Sequence, residues 1–309
     1  VKKLAIIFIV LFCSTIAFAE DSQTRAKIYL KAGDRLKNLE IDATGFKHGI
    51  EMNEPGTAYI INTTVKNAGT DFVTDDGKHG DGIGIIAIGA GSHIHIYNSK
   101  SKKNSEDGFR AIDGGRLTIV KSKALQNDKN GFYVGAGSSM ELTDSQSYSN
   151  RFGFMAANDF LNVELKWNLI HSNKDQGMQL IDGESATIAN SIIYDNNSSN
   201  VESIDYGGVA IFGVKVVTMT DTSISGNGYT GLLVDTDTSY LDHPVRMTIE
   251  NSVIKNNGDI GIISRGDSIV HITSSELTGQ CLEEPDMHTG EVGIITYNGV
   301  TVDPGDCPQ

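Results

Sequence analysis

Asp235, Asp237, Asp267 and Arg265 are the residues whose types and spacing could best do chemistry. Carboxylates beside a guanidinium can exchange protons with a ligand and neutralise its charge. Several carboxylates together can bind Ca²⁺, which takes roughly six to eight hard oxygen ligands. The expected catalytic set is Asp235, Asp237 and Arg265, and the expected calcium set is Asp205, Asp235, Asp237 and Asp267. A surface salt bridge accounts for the same cluster equally well. His93 and His95 alternate on one strand and could share a metal, but with no third ligand they read as lining an exposed face.

These residues lie in or beside four segments longer than the rest of the pattern. Three, at 68–81, 198–207 and 281–292, read as preceding a glycine-led strand, and one, at 235–244, as following such a strand. All four flank one sheet and all are acidic, which places a functional face there. The bland reading is that aspartate favours turns and that soluble loops are charged.

The elements that must position these residues are set by a repeat. Asn104, Asn127, Asn150, Asn173, Asn196, Asn227 and Asn257 follow each other at steps of 23, 23, 23, 23, 31 and 30 residues. Each is followed by a glycine that opens an apolar run, as in Gly108-Phe109, Gly131-Phe132, Gly153-Phe154, Gly177-Met178 and Gly231-Leu232; Gly82-Ile83 and Gly293-Ile294 read the same way. A second strand alternates apolar and polar residues, as in Met247-Thr248-Ile249-Glu250, and a short third strand runs into the asparagine. Such a unit cannot bury its apolar face alone. Stacked in parallel at about 4.8 Å per coil, the units form a continuous core, and the amides satisfy one another at a corner.

This pattern resembles the right-handed parallel β-helix repeats of the pectin-lyase-like superfamily over roughly residues 40 to 300. The expected fold is all-β, a single-stranded right-handed parallel β-helix of about nine to ten coils with an N-terminal cap. Residues 20–40 are expected to form the cap, 41–300 the β-helix and 301–309 a C-terminal tail. The resemblance implies a protein binding or acting on polysaccharide, of lyase, hydrolase or epimerase type if catalytic. The alternative is a non-catalytic cell-envelope, adhesin-like or structural β-helix. Tyr133, Gln179, Tyr206 and Tyr240 are the expected substrate-binding residues. A pectate-lyase-like mechanism needs Ca²⁺ to neutralise uronate and an Arg or Lys to take the proton. Arg110 and Arg265 both fall on outward positions of the glycine-led sheet, about six coils and on the order of 25–30 Å apart, so they cannot serve one site. The outward strip holding Met155, Phe212, Leu233 and Ile263 is apolar and should be covered by a loop or a partner, with 235–244 the candidate cover.

The first 19 residues have a basic start, a short apolar core and Ala17-Phe18-Ala19, which reads as a secretory signal cut after Ala19. The expected location is secreted or periplasmic, with no transmembrane anchor in the mature chain. Without Lys2 and Lys3 the mature chain has 23 basic against 39 acidic residues, a formal charge of −16. Such a field makes nucleic acid a poor partner and leaves polysaccharide or cell-envelope glycan. Cys281 and Cys307 remain, and in an oxidising compartment they are expected to pair and tie the tail over the open end.

Overall fold

The computed structural model describes residues 23–71, 82–197, 206–236, 244–258, 260–284, 293–302 and 305–306. Every regular element among them is a β-strand. Three strands per coil stack in parallel on their equivalents in the next coil. The third strands form one 11-stranded sheet from Gln23–Arg25 to Glu276–Leu277. The glycine-led and second strands count as one 22-stranded sheet, because Gln176–Ala189 and Gly207–Thr220 run through the corner between them unbroken.

The inward columns are as regular as the repeat requires. Phe109, Phe132, Phe154, Met178, Val209, Leu232 and Ile262 stand in register down the glycine-led sheet, and none is more than 1 % exposed. Phe109 and Phe132 stack with ring centroids 5.1 Å apart. The seven asparagines form one ladder. The side-chain amide of each of the first six donates to the next asparagine's Oδ1 at 2.8–3.2 Å. That same oxygen also accepts the preceding asparagine's backbone N–H. The residue before each asparagine is left-handed, as at Lys103 (φ 56°), Gln126 (φ 57°) and Ser172 (φ 52°), which turns the amide inward.

The glycine column follows from the ladder. A Cβ on Gly131 would sit 2.6 Å from the carbonyl oxygen of Gly153 and 2.9 Å from the amide nitrogen of Asn150. A side chain there would push the ladder off its sheet, so asparagine and glycine recur together.

A second buried ladder occupies the corner between the second and third strands. Ser99, Ser122, Ser145, Asn168, Ser191, Thr222, Ser252 and Ser275 each lie one coil apart. The backbone N–H of each donates to the side-chain oxygen of the next at 3.0–3.4 Å. The sequence marks this corner only as polar; its burial comes from the stacking.

The structure changes three expectations. The glycine-led start at the first long segment is Gly84-Ile85, since Ile85 pairs with Phe109. The reading at Gly82-Ile83 was two residues early, a shift that keeps the same face inward. Ile294–Tyr297 is a second strand, paired with Ile269–Thr273. The glycine-led strand of that coil is Gln280–Glu284 after Gly279, so the long segment follows the sheet rather than preceding it. Residues 23–37, expected within a separate cap, form a coil in parallel register with the next. At the other end, Val300–Thr301 and Gly305–Asp306 turn back antiparallel onto Ile294–Tyr297 and Gln280–Glu284, occupying edges that would otherwise be open.

Candidate functional site

The outward face of the glycine-led sheet divides into two halves along one register column. Glu51, Ile86, Arg110, Tyr133, Met155, Gln179, Ala210, Leu233 and Ile263 follow each other one coil at a time. In the later half Ala210, Leu233 and Ile263 are wholly buried and join Ile260, Phe212 and Tyr229 in a small core of their own. Of the expected apolar strip, Leu233 and Ile263 are thus buried, whereas Met155 and Phe212 are half-buried. Segment 237–243, the expected cover, lies outside the described residues. The earlier half is mixed: Glu51 and Ile86 are buried, Arg110, Tyr133, Met155 and Gln179 are half-buried, and Arg110 belongs to a tightly organised charge cluster.

Arg110 is the centre of that cluster. Its guanidinium meets Asp107 Oδ2 at 2.5 Å and Glu106 Oε1 at 2.7 Å, and it stands 4.9 Å from the ring centroid of Tyr133. Lys129 Nζ reaches the same Glu106 oxygen at 2.7 Å. Asp107 has no exposed surface; its other oxygen accepts from the backbone N–H and side-chain amide of Asn130. Burial pushes the Asp107 carboxyl up to about 6, against the pull of Arg110. Burial also raises the Tyr133 phenol, which keeps it protonated; Asn158 donates to its oxygen at 3.3 Å. Two coils earlier in the stack Glu51 pairs with Lys27 of the coil before it, at 2.7 Å.

His48 lies beside this cluster, buried, with Nδ1 lacking a hydrogen-bond partner among the described residues. Burial pushes its imidazole down to about 4, so it is neutral at pH 7. A depressed base gives stability that is full above the unfolded value of about 6.5 and lost as pH falls toward about 4. Asp107 works in the opposite sense over the same range, so comparison with a single variant is needed. Wild type should gain about 2 kcal/mol on the His48→Gln variant between pH 4 and 6.5, after allowing for screening. Urea denaturation of both proteins at each pH reads this difference. A flat difference, or one of opposite sign, would refute the assignment.

The expected residues do not all converge. Asp235 and Arg265 meet at 3.3 Å, directly opposite on neighbouring strands. Both are buried, at 7 % and 9 % exposure, so this pair belongs to the later half of the face. Asp267 lies two residues beyond Arg265, with a buried Oδ1 that has no partner among the described residues. Asp205, Asp237, Tyr240 and Cys307 lie outside the described residues. Among the described residues no group of three or more His, Cys, Asp or Glu could hold a metal ion. The guanidinium against Asp235 also disfavours a cation there, so the described part of the calcium set does not make a site. Tyr133 and Gln179 share the outward column two coils apart. Tyr206 interacts instead with Arg151 at the sheet's rim, where Arg151 also pairs with Asp175 at 2.5 Å. His93 and His95 lie on the second sheet, 4.1 Å between centroids, with His93 Nε2 3.0 Å from Thr118 Oγ1. Cys281 is buried and disulfide-bonded.

Sequence reasoning singled out Arg110 but not Glu106, Asp107, Lys129 or His48. A signal was available. Glu106-Asp107 immediately precedes Gly108, where the equivalent residue of the next coil is Asn130. A carboxylate at a position that the stack buries calls for a cation nearby.

A family model described as right handed beta helix region matches residues 21–159 and 84–243. The chain belongs to the right-handed β-helix family. No curated protein sequence matches this β-helix. Solved structures resemble it in fold at low identity. The Azotobacter vinelandii mannuronan C-5 epimerase AlgE6 A-module has a TM-score of 0.64 at 17 % identity, over 94 % of this chain and 80 % of that one. The periplasmic alginate epimerase AlgG has 0.62 at 12 %, over 86 % and 69 %. The pectate lyase Pel9A has 0.53 at 14 %, over 86 % and 70 %. At these identities the likeness concerns the β-helix architecture, and the chemistry must be argued from the site.

Proposed function

We propose that this β-helix binds a uronate-bearing polysaccharide along the part of its glycine-led sheet that carries Arg110, Tyr133 and Gln179. We propose further that it acts there by proton transfer beside the sugar carboxylate, as a lyase or an epimerase does. The observation that carries this reading is the Arg110 cluster: a guanidinium oriented by two carboxylates, stacked over a protonated tyrosine, on the outward column of a long flat sheet. Perturbed titratable groups gathered on such a face are a physical signature of a functional site. The names of the structural neighbours, two epimerases of uronate polymers and a pectate lyase, support the same substrate class.

In this reading Arg110 faces the uronate carboxylate, lowering the cost of charge when the neighbouring C–H proton passes to a base drawn from solvent. The Tyr133 hydroxyl supplies a proton. Reprotonation of the carbon gives epimerisation. If the electron pair instead forms a C=C bond and the glycosidic C–O bond breaks, the departing oxygen takes the proton. Retaining or inverting hydrolysis fits less well, because it needs two separate carboxylates across the bond, whereas Glu106 and Asp107 are both engaged by Arg110. Calcium remains a proposed auxiliary of the aspartates Asp205, Asp235, Asp237 and Asp267, and its binding would have to displace Arg265 from Asp235. Export with cleavage after Ala19, and a Cys281–Cys307 disulfide, belong to the same proposal. Cys281 lies opposite Gly305 in the antiparallel end pairing, two residues from Cys307.

The test is incubation with polymannuronate, polygalacturonate and a neutral glucan, with and without Ca²⁺. Ultraviolet absorbance reports unsaturated uronides, and deuterium uptake from D₂O reports exchange at the carbon. Uptake or absorbance with a uronan and not with the glucan is expected. Binding without either signal supports the non-catalytic envelope reading instead.

A further inference from the structure

The outward face of the third sheet is set apart by what it lacks. From Lys100–Lys102 through Val253–Lys255 seven strands lie side by side in parallel. Their outward residues include no aspartate or glutamate, although the chain has 39 acidic residues against 25 basic. Lysines occupy one end instead. Lys100 lies directly opposite Lys123, and Lys102 opposite Lys66, on neighbouring strands. Lys103 and Lys121 stand at the two corners beside them. Lys66 is paired with Glu40. Lys100, Lys102, Lys103, Lys121 and Lys123 form no salt bridge among the described residues. Asp144, at the same corner one coil on from Lys121, forms no salt bridge with any of them among the described residues.

Like charges placed directly across a sheet work against folding. In a chain with this excess of acid, neutral or acidic residues at these positions would relieve the repulsion. A negatively charged ligand would do the same. Beyond the lysines one column continues through Tyr148, His171 and Tyr194, whose rings stack at 5.2 and 4.9 Å. The other continues through Leu169 and Ile192, the latter 46 % exposed, with Trp167 58 % exposed at the adjoining corner. The strip is two side chains wide and, at about 4.8 Å per strand, on the order of 30 Å long. That shape fits a single extended polymer better than a plane of headgroups.

We infer that the third sheet is a second, non-catalytic binding surface, which holds an anionic polysaccharide strand along the helix axis by its lysine end. This extends the polysaccharide reading to a different face from the Arg110 cluster and would stand if turnover at that cluster were disproved.

The experiment compares wild type with a Lys100→Glu/Lys102→Glu/Lys123→Glu variant, using polygalacturonate as probe at low and high salt. The lysines are on the surface, so a single cooperative melting transition verifies folding; a Lys→Gln triple variant provides a milder step. The expected result is salt-sensitive binding by wild type, weakened at least tenfold in the Glu variant and by an intermediate factor in the Gln variant. Deuterium uptake or absorbance with short uronate oligomers should be unchanged. Equal polygalacturonate binding by wild type and the Glu variant overturns the inference and leaves the Arg110 reading intact. Binding to phosphatidylglycerol vesicles but not to polygalacturonate also overturns it, and makes the strip a membrane contact. Lysine-dependent binding in a protein with no turnover supports the inference while removing the catalytic reading.

Discussion

Replacing Arg110 with methionine should cost about 3–5 kcal/mol of stability at pH 7 and abolish measurable turnover. The stability effect follows from what remains behind. Asp107 would stay fully buried without the guanidinium now 2.5 Å from it, and Glu106 would face it with Lys129 as its one remaining counter-charge among the described residues. Breaking a buried pair from one side leaves an uncompensated charge, which is costlier than removing both partners. The Arg110→Met/Asp107→Leu double variant should therefore recover part of the loss. The single variant should also be less impaired at pH 4–5 than at pH 7. A buried carboxyl whose folded value lies above its unfolded one loses stability as pH rises through that interval, and loss of Arg110 pushes Asp107 further up. Arg110→Lys separates charge from geometry. It keeps a cation but loses the fork that engages Asp107 and Glu106 together, so turnover should fall about 100-fold with a smaller loss of stability. Urea titration and the deuterium-uptake assay read the two effects. Full activity in Arg110→Met would remove the proposed site, and a stability loss below about 1 kcal/mol would remove the account of the cluster.

The Asn150→Leu variant should lose about 4 kcal/mol, as much as a large core truncation. Asn150 has no exposed surface. Its amide donates to Asn173 Oδ1, Ala124 O and Ser147 Oγ at 3.0–3.2 Å. Its Oδ1 accepts both the backbone N–H and the side-chain amide of Asn127 at 2.9 Å. Leucine is similar in size but satisfies none of these groups, and each buried donor left unpaired costs about 1–3 kcal/mol. Leucine would also meet the close approach of Gly131, whose ideal Cβ position is already 2.9 Å from that amide. Because each coil touches only its neighbours, the damage should be local. Amide exchange should accelerate first in the coils holding Asn127, Asn150 and Asn173. Asn162→Ala, on the exposed face of the second sheet, is the control and should cost under about 1 kcal/mol. Equal effects of the two substitutions would mean that the ladder is decoration rather than structure.

The two predictions concern features that differed in how far the chain disclosed them. Asn150 announced its role because six other asparagines share its phase, and glycine follows each at the close approach. Arg110 was visible only as an outward residue. Its carboxylate partners precede Gly108, where the chain bends, and a two-residue alternation does not say toward which face that bend points them. The slip at Gly82 and the misplaced strand at Gly293 have the same origin. Alternation specifies a face but not a register, and both positions adjoin long segments that break the 23-residue count.

What was written in the amino-acid order is the parallel β-helix itself: its period, its amide corner, its inward apolar columns and its acidic surface. These follow from composition repeated at a constant interval, and stacking at a constant rise converts such a repeat into columns. Folding alone decided which outward residues of the glycine-led sheet are wholly buried. Asp235 and Arg265 found each other as their spacing suggested, yet both are buried, while Arg110 stays half-buried at the other end of the column. Burial of an outward column depends on long-range packing that no local pattern encodes.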